Sequence, residues 1–221
     1  MHYLQHELRK LYPDSESTSI ARLIMEHAGF PSSAYLRDPQ LIPETTMIAQ
    51  INEIVTEIHT HKPIQYILGY TWFCDLKILV NENVLIPRPE TEEMIYKIFA
   101  QKQMMPGSVL DIGTGSGCIA LALKNKYQNS SVTGLDISKS ALGLAEENAL
   151  LNQLDICLVE GDILSGSPGQ LKEGFDLIVS NPPYVRISEK SNMSDNVLHF
   201  EPELALFVDD RKPLVFYEAI A

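Results

Sequence analysis

A strand, a glycine-rich turn and a helix follow one another over residues 108–126, and this succession constrains the fold more than any other part of the chain. Ser108–Ile112 is an apolar run typical of a buried strand. Gly113–Gly117 predicts a tight turn, and Cys118–Lys126, rich in Ala and Leu, predicts a helix. Glycines let the backbone approach a ligand, and a helix N-terminus offers free N–H groups. The unit therefore predicts a Rossmann-like α/β domain with a ligand site at the turn.

The spacing of the glycines distinguishes between two ligands. It is G-x-G-x-G, and the third glycine of the dinucleotide fingerprint G-x-G-x-x-G would fall on Cys118. The turn therefore fits the aminocarboxypropyl tail of S-adenosylmethionine better than NAD, and a dehydrogenase is the less favoured alternative. The residues predicted to bind this cofactor through the turn are Gly113, Thr114, Gly115, Ser116 and Gly117.

Two further predicted strands each lead to an acid. Ser131–Asp136 ends on Asp136, about 20 residues after Gly117, where a carboxylate can accept both ribose hydroxyls. The strand over 157–163 places Asp162 to meet an adenine amino group and Ile163 to pack on the ring. Asp136 alone could equally be a surface acid at a loop. Two acids at successive strand ends after a glycine turn favour the cofactor site.

A fourth apolar run, residues 175–179, leads into Ser180-Asn181-Pro182-Pro183-Tyr184. Proline has a fixed φ and no N–H, so the carbonyl groups of this segment stay free and point in defined directions. The Asn181 amide accepts and donates, and Tyr184 adds an aromatic face. The segment could therefore grip a planar NH2 group, although it could also be a plain turn. Its position at the carboxyl edge of the sheet favours a catalytic role for Asn181, Pro182, Pro183 and Tyr184.

Residues 1–62 predict a small helical domain. Its clearest helix, over residues 47–58, carries apolar residues at a period of 3.6. We interpret the domain as a substrate-docking module, and packing alone is the alternative. His59 and His61 are two residues apart and face different ways on a helix, so no metal site is expected.

Residues 63–89 predict a linker with a β-hairpin, whose strands fall in 65–70, 72–73 and 76–80. A proline-flanked arm over residues 85–92 follows and leads into a helix that Glu90 or Thr91 could cap. Arg88 in this arm either lines the mouth of a site or pairs with a surface carboxylate. The domain that follows, residues 90–221, is expected to carry the chemistry.

The end of the chain predicts three more segments. The polar stretch over 186–196 is expected to be a mobile substrate loop, 201–208 a fifth strand, and the residues from about Pro213 a helix. A complete fold of this class carries two more strands, so we expect a C-terminal truncation that leaves the fifth strand as an unprotected edge.

Composition excludes several classes of protein. A formal net charge of -12 argues against a protein that mainly grips a phosphate backbone. Cys74, Cys118 and Cys157 lack the spacing of a metal site and are expected to be reduced, buried thiols. No apolar run approaches transmembrane length, and the N-terminus does not resemble a signal peptide. The chain is expected to be cytoplasmic, monomeric and free of membrane or nucleic-acid partners.

These residues resemble the release-factor glutamine methyltransferases (the PrmC/HemK family) over most of the chain. The Asn181–Tyr184 motif is shared with adenine-N6 methyltransferases of DNA and RNA, so it indicates the chemistry and not the substrate. The arm Pro87–Glu92 and the helical domain are more specific for the release-factor branch. The chain departs from the family at Tyr70–Phe73, where a charged stretch is usual, and at Ile163, where some members carry an aromatic residue.

The resemblance implies transfer of a methyl group from S-adenosylmethionine to the side-chain nitrogen of the glutamine in the Gly-Gly-Gln loop of peptide chain release factors. The Asn181 oxygen and the Pro182 carbonyl are hypothesised to accept both N–H hydrogens, while Pro183 and Tyr184 hold the amide plane. Two alternatives are an adenine-N6 methyltransferase and a noncatalytic adaptor that binds S-adenosylmethionine.

Overall fold

The computed structural model describes residues 2–30, 45–101, 103–166, 171 and 174–221. They belong to two compact units, Met1–Leu68 and Gly69–Ala221. The first unit contains helices α1 (His2–Leu8), α2 (Asp14–His27), α3 (Thr45–Ile58) and α4 (Ile64–Leu68). Apolar side chains spaced for a helix are buried on each of the longer helices, Ile20 and Ile24 on α2 and Ile51, Ile54 and Ile58 on α3 among them. The helical prediction for this region is confirmed for the described residues.

The segment after Pro63 is helical, and the strand predicted over 65–68 is wrong. Pro63 is followed by helix α4, and its carbonyl oxygen accepts the N–H groups of Tyr66 at 3.0 Å and Ile67 at 3.2 Å. Ile64 and Leu68, four residues apart, are both buried, which is the spacing of one helix face. An apolar run of this length does not distinguish a strand from a short buried helix.

The second unit begins with the predicted hairpin, β1 (Tyr70–Phe73) and β2 (Leu76–Leu79), which pair in antiparallel register. The rest alternates strands and helices: α5 (Pro89–Phe99), β3 (Ser108–Ile112), α6 (Cys118–Lys126), β4 (Ser131–Asp136), α7 (Lys139–Leu151), β5 (Cys157–Glu160) and β6 (Leu177–Ser180). Ser138 caps α7 as predicted, since its hydroxyl accepts the N–H of Ala141 at 3.2 Å.

Within the described residues, four of these strands form a parallel sheet in the order β5-β4-β3-β6. The central strand β3 places Asp111 opposite Gly134 of β4 and Val179 of β6. Strands β3, β4 and β6 therefore end at one edge of the sheet, which is where open α/β sheets bind ligands. The predicted Rossmann-like α/β class is confirmed.

A buried asparagine fixes the hairpin to this sheet domain. The Asn148 amide of α7 donates to the Leu79 carbonyl at 3.0 Å and to the Ser116 carbonyl at 2.9 Å. Its oxygen accepts the N–H of Leu79 at 2.6 Å. One side chain thereby ties the hairpin to the glycine turn.

The fifth strand predicted near the end of the chain is wrong for most of its length. Residues 201–208 form helix α9 (Glu203–Leu206) and a two-residue strand β8 (Phe207–Val208), which pairs with β7 (Val185–Arg186) rather than with the central sheet. Pro202 is the residue before α9, and proline lacks the N–H group that a continuing strand would need for its ladder. The stretch over 186–196 contains a 3-10 helix over Ile187–Asn192 and the first residues of α8 (Asp195–Phe200). Its mobility and its contact with a substrate stay predictions. Helix α10 spans Val215–Ile220.

The cysteines are free, but the burial prediction holds for only two of them. Cys74 and Cys118 are buried, whereas Cys157 is exposed at the start of the edge strand β5. Among the described residues, no group of His, Cys, Asp and Glu side chains could hold a metal ion. None of the described helices is long and apolar enough to cross a membrane.

Candidate active site

A cavity of about 240 Å³ opens at the carboxyl edge of the sheet. The glycine turn, the ends of β4, β5 and β6, and the arm before α5 all contribute to its wall. Ten of the predicted site residues line it together: Gly113, Thr114, Gly115, Ser116, Asp136, Asp162, Ile163, Asn181, Pro182 and Pro183. Gly117 and Tyr184 are outside the lining, and the Tyr184 side chain is 59% exposed.

The glycine turn leaves space beside its backbone. Gly115 has a φ of 54°, in the left-handed region that favours glycine. A Cβ added there would meet no atom closer than 4.0 Å, and one added at Gly113 would meet nothing within 4 Å. A side chain at either position would therefore occupy cavity space. This unfilled cradle of backbone, next to the start of α6, fits the polar tail of S-adenosylmethionine.

Gly117 is required for a different reason. It precedes α6 with a φ of 79°, and an added Cβ would lie 3.1 Å from the Cβ of Ala145 on α7. The glycine thus allows α6 and α7 to pack closely behind the turn. Its predicted contact with the cofactor stays a prediction.

Replacing Gly117 with alanine is expected to lower the free energy of unfolding by about 2 kcal/mol, because a left-handed φ is costly for alanine and Ala145 must also move. Urea unfolding measures the change. Gly143→Ala is the matched control, because Gly143 is an exposed residue within helix α7 and a Cβ there meets nothing. That substitution should raise stability by about 0.5–1 kcal/mol. Equal effects at the two positions would contradict the packing role of Gly117.

Asp136 is fixed between the turn and helix α7. Its carboxylate accepts the N–H of Gly115 at 2.8 Å and the N–H of Ser138 at 2.9 Å. Burial raises its pKa, and the hydrogen bonds from these backbone groups act in the opposite direction. A carboxylate has about four lone-pair sites, so the group can still accept a hydroxyl hydrogen from a ligand in the cavity.

Asp162 and Ile163 lie just beyond the end of β5. The strand ends at Glu160, three residues earlier than predicted, and Asp162 begins a 3-10 helix by accepting the N–H of Leu164 at 2.9 Å. Ile163 packs against the buried cluster formed by Leu110, Ile112, Leu135 and Val159. Asp162 and Ile163 thus lie on the cavity wall, and the bond to Leu164 constrains the backbone there.

Asn181 follows the end of β6, which is tied to the central strand. The Ser180 hydroxyl donates to the Ile112 carbonyl at 2.7 Å. The Asn181 amide nitrogen donates to the hydroxyl of Thr91, on the first turn of α5, at 3.2 Å. Thr91 therefore does not cap α5 as predicted, nor does Glu90: the residue before the helix is Arg88, without a side-chain cap, and Pro89 is the first helical residue.

Arg88 does line the cavity, and its partner is a buried carboxylate instead of a surface one. The guanidinium lies 2.6 Å from Glu201 Oε1, and the Glu201 side chain is 1% exposed against 33% for Arg88. The second carboxylate oxygen of Glu201 is buried without a hydrogen bond. The pair joins the arm before α5 to the segment before α9, both of which border the cavity.

Asp111, to which the sequence assigned no role, supports the glycine turn with its side chain. Its Oδ2 accepts the Thr114 hydroxyl at 2.7 Å and the N–H of Ala120 at 3.2 Å, while Oδ1 is buried without a partner. Complete burial raises the pKa of Asp111 to about 7. The sequence did contain a signal for this role, because a charged residue within an otherwise apolar strand requires a partner.

The raised pKa makes stability depend on pH. Below about pH 4 the carboxyl group is protonated in both folded and unfolded chains, and between about pH 4 and pH 7 only the folded chain keeps the proton. Stability from this group is therefore lost as the pH rises towards 7, by at most roughly 1.4 kcal/mol per pH unit. Asp111→Asn cannot ionise and should lack this slope. Urea unfolding of both proteins from about pH 5 to about pH 9 tests this, and parallel curves would contradict it.

The chain matches two known domain families and a group of relatives that share one name. Residues 1–69 match the PrmC N-terminal domain, and residues 92–200 match the methyltransferase small domain. A release factor glutamine methyltransferase of Bacteroides thetaiotaomicron is 37% identical over 220 residues, which cover 99% of this chain and 78% of that relative.

Two further proteins of the same name are more similar over a shorter length. That of Flavobacterium psychrophilum is 46% identical over 186 residues, which cover 82% of this chain and 65% of the relative. That of Lactococcus lactis is 44% identical over 171 residues, which cover 77% of this chain and 62% of the relative. The chain thus spans slightly less than two thirds of the length of these two relatives.

Proposed function

This chain belongs to the family of release factor glutamine methyltransferases, and we propose that it methylates the side-chain amide nitrogen (N5) of the glutamine in the Gly-Gly-Gln motif of a peptide chain release factor. The methyl donor is S-adenosylmethionine. The observation that carries the proposal is the joining of Asn181-Pro182-Pro183 and the glycine turn in one cavity. A group that can receive two N–H hydrogens thereby lies beside a cradle for the cofactor's polar tail.

The turn, Asp136, Asp162 and Ile163 are the residues that would hold the cofactor. Gly113 and Gly115 leave room for its aminocarboxypropyl tail, and Asp136 offers acceptor oxygens to its ribose. When bound, S-adenosylmethionine supplies an electrophilic methyl group on a positively charged sulfur. The remaining chemistry is the preparation of the nucleophile.

An amide nitrogen is a poor nucleophile because its lone pair is delocalised into the carbonyl group. The Asn181 side-chain oxygen and the Pro182 carbonyl would accept its two hydrogens and hold the nitrogen in one orientation. Since Pro182 and Pro183 have fixed φ angles, these acceptors are pre-organised. They also stabilise the positive charge that grows on the nitrogen as the new bond forms. Among the described residues, the carboxylates lining the cavity are those of Asp136 and Asp162, which are assigned to the cofactor. The proton is therefore taken to leave the nitrogen for solvent after methyl transfer.

Tyr184 lies at the outer end of the motif, where its side chain is 59% exposed. We propose that it packs against the plane of the substrate amide when the release factor is bound. The helical residues 1–62 would dock the body of the factor, with 63–89 as the linker and 90–221 as the transfer domain. The proposal includes a monomer that acts in the cytoplasm, with no membrane or nucleic-acid partner.

The test offers the chain S-adenosylmethionine with a labelled methyl group together with a purified release factor. Label on the Gly-Gly-Gln glutamine, located by mass spectrometry, is the expected result, and a factor with Gln replaced by Ala in that motif should take none. Adenine-containing DNA and RNA are offered separately. Label on nucleic acid alone would overturn the proposal in favour of adenine-N6 methylation. Cofactor binding without transfer to any acceptor would favour an adaptor.

A further inference from the structure

A hydrogen bond joins two residues that are distant in the sequence and adjacent in the cavity wall. The Asn181 amide nitrogen donates to Thr91 Oγ1 at 3.2 Å, and both residues line the cavity. Thr91 is 8% exposed, so water competes little for its hydroxyl. We infer that Thr91 is a positioning residue that sets the orientation of the Asn181 carboxamide. This inference rests on the proposed function and adds to it a residue outside the Asn-Pro-Pro-Tyr motif.

The first turn of α5 is held from both sides of Thr91. On one side the Arg88 guanidinium pairs with Glu201 at 2.6 Å. On the other the Glu92 carboxylate accepts the N–H of Cys74 at 2.7 Å. The position of the Thr91 hydroxyl is therefore fixed by contacts to two other segments of the chain.

Asn181 is also held at its backbone but can rotate at its end. The Ser180 hydroxyl bond to Ile112 fixes the residue before it, and Pro182 fixes φ after it. The carboxamide itself can turn by 180°, which exchanges its oxygen and nitrogen. With the nitrogen committed to Thr91, the oxygen is the group left to face a ligand. A reversed carboxamide would present N–H groups to the N–H groups of the substrate, and those would repel.

In this arrangement Thr91 holds the Asn181 carboxamide with its oxygen available to accept a hydrogen bond from an NH2 group. The effect belongs to the reacting complex, because the acceptor becomes more important as charge grows on the substrate nitrogen. Loss of the Thr91 hydroxyl should lower kcat roughly 3- to 10-fold, the value of one ordinary hydrogen bond. The KM for S-adenosylmethionine should change less than twofold, because Thr91 bonds to the acceptor group and not to the glycine turn.

The experiment compares Thr91→Val with Thr91→Ser. Valine keeps the branched shape and removes the hydroxyl, and serine keeps the hydroxyl, so serine should retain most of the rate that valine loses. The same Thr91→Val change is made in an Asn181→Ala background, where it should have no further effect on kcat. An unchanged kcat in Thr91→Val would overturn the inference. An equal loss in the Asn181→Ala background would also overturn it, because it would indicate a merely structural role.

A second measurement does not depend on activity. The side-chain NH2 signal of Asn181 is identified in an ¹⁵N-labelled chain by its absence in Asn181→Ala. Its hydrogen exchange should be slow in the wild type and in Thr91→Ser, and faster in Thr91→Val. Exchange that is the same in all three proteins overturns the inference. If the wild type methylates no release factor, the proposed function fails, and this signal still decides whether Thr91 holds Asn181.

Discussion

Replacing Asn181 with alanine is expected to lower the rate of glutamine methylation by about 100- to 1000-fold, the loss typical when one pre-organised polar group is removed from a reacting centre. The alanine removes the oxygen that would accept a substrate hydrogen, and the neighbouring Pro182 and Pro183 have no polar side-chain atom that could replace it. The substrate amide would then bind in several orientations, most of which point its nitrogen away from the methyl group. Single-turnover kinetics with labelled cofactor measure the rate.

Two controls separate this role from a general loss of structure. The affinity for S-adenosylmethionine, measured by calorimetry, should fall by less than about tenfold, since the glycine turn and Asp136 stay intact. Asn125→Ala makes the same substitution at an exposed position on α6 and should leave the rate unchanged. Turnover by Asn181→Ala within about twofold of the wild type would remove Asn181 from the mechanism.

Replacing Arg88 with alanine is expected to lower the free energy of unfolding by about 3 kcal/mol, because it leaves the Glu201 carboxylate buried and without its cation. The Glu201 side chain is 1% exposed, and its Oε2 already lacks a hydrogen bond. Arg88 is one third exposed and could be hydrated without Glu201, so the reverse change, Glu201→Gln, should cost less. Urea unfolding of the three proteins measures the difference.

A surface ion pair provides the matched control. Arg186 and Glu189 lie 2.7 Å apart, but their side chains are 50% and 41% exposed. Arg186→Ala should therefore change stability much less than Arg88→Ala does. The double change Arg88→Met with Glu201→Leu should be more stable than Arg88→Ala alone, because it removes the buried charge together with its partner. If Arg88→Ala cost no more than Arg186→Ala, burial would not control the energy of the Arg88–Glu201 pair.

The sequence predicted the core of the transfer domain because its signals are local. Strand β3, the glycine turn and α6 are adjacent in the chain, and each has a distinctive composition. The same holds for β4 ending at Asp136 and for Ser138 as the cap of α7. Once these strands are taken to be parallel, their carboxyl ends must share an edge. The meeting of Asp136, Asp162 and Asn181 in one cavity therefore follows from the order of elements alone.

The predictions that the structure contradicts concern segments whose local sequence fits more than one structure. Residues 65–68 and 201–208 are short apolar runs, and such runs are compatible with a strand or a helix until their neighbours are known. In each run a short helix begins directly after a proline, over Ile64–Leu68 and Glu203–Leu206, and only Phe207–Val208 keeps a strand. Cys157 was expected to be buried because the cysteines lack the spacing of a metal site, yet it is exposed at the start of β5, at the edge of the sheet. Position within a sheet depends on pairing with distant residues.

The sequence by itself determined the family, the α/β architecture, and the residue types that meet at the cavity, because glycines, prolines and strand-end acids act on the backbone next to them. Only the tertiary structure decided which partner each polar side chain has. Arg88 could have faced a surface carboxylate, yet it meets the buried Glu201, which is 113 residues away. Thr91 could have capped its own helix, yet its hydroxyl accepts the Asn181 amide, 90 residues away. Such pairs are selected by the cost of burying an unpaired polar group, and burial is a property of the packed chain.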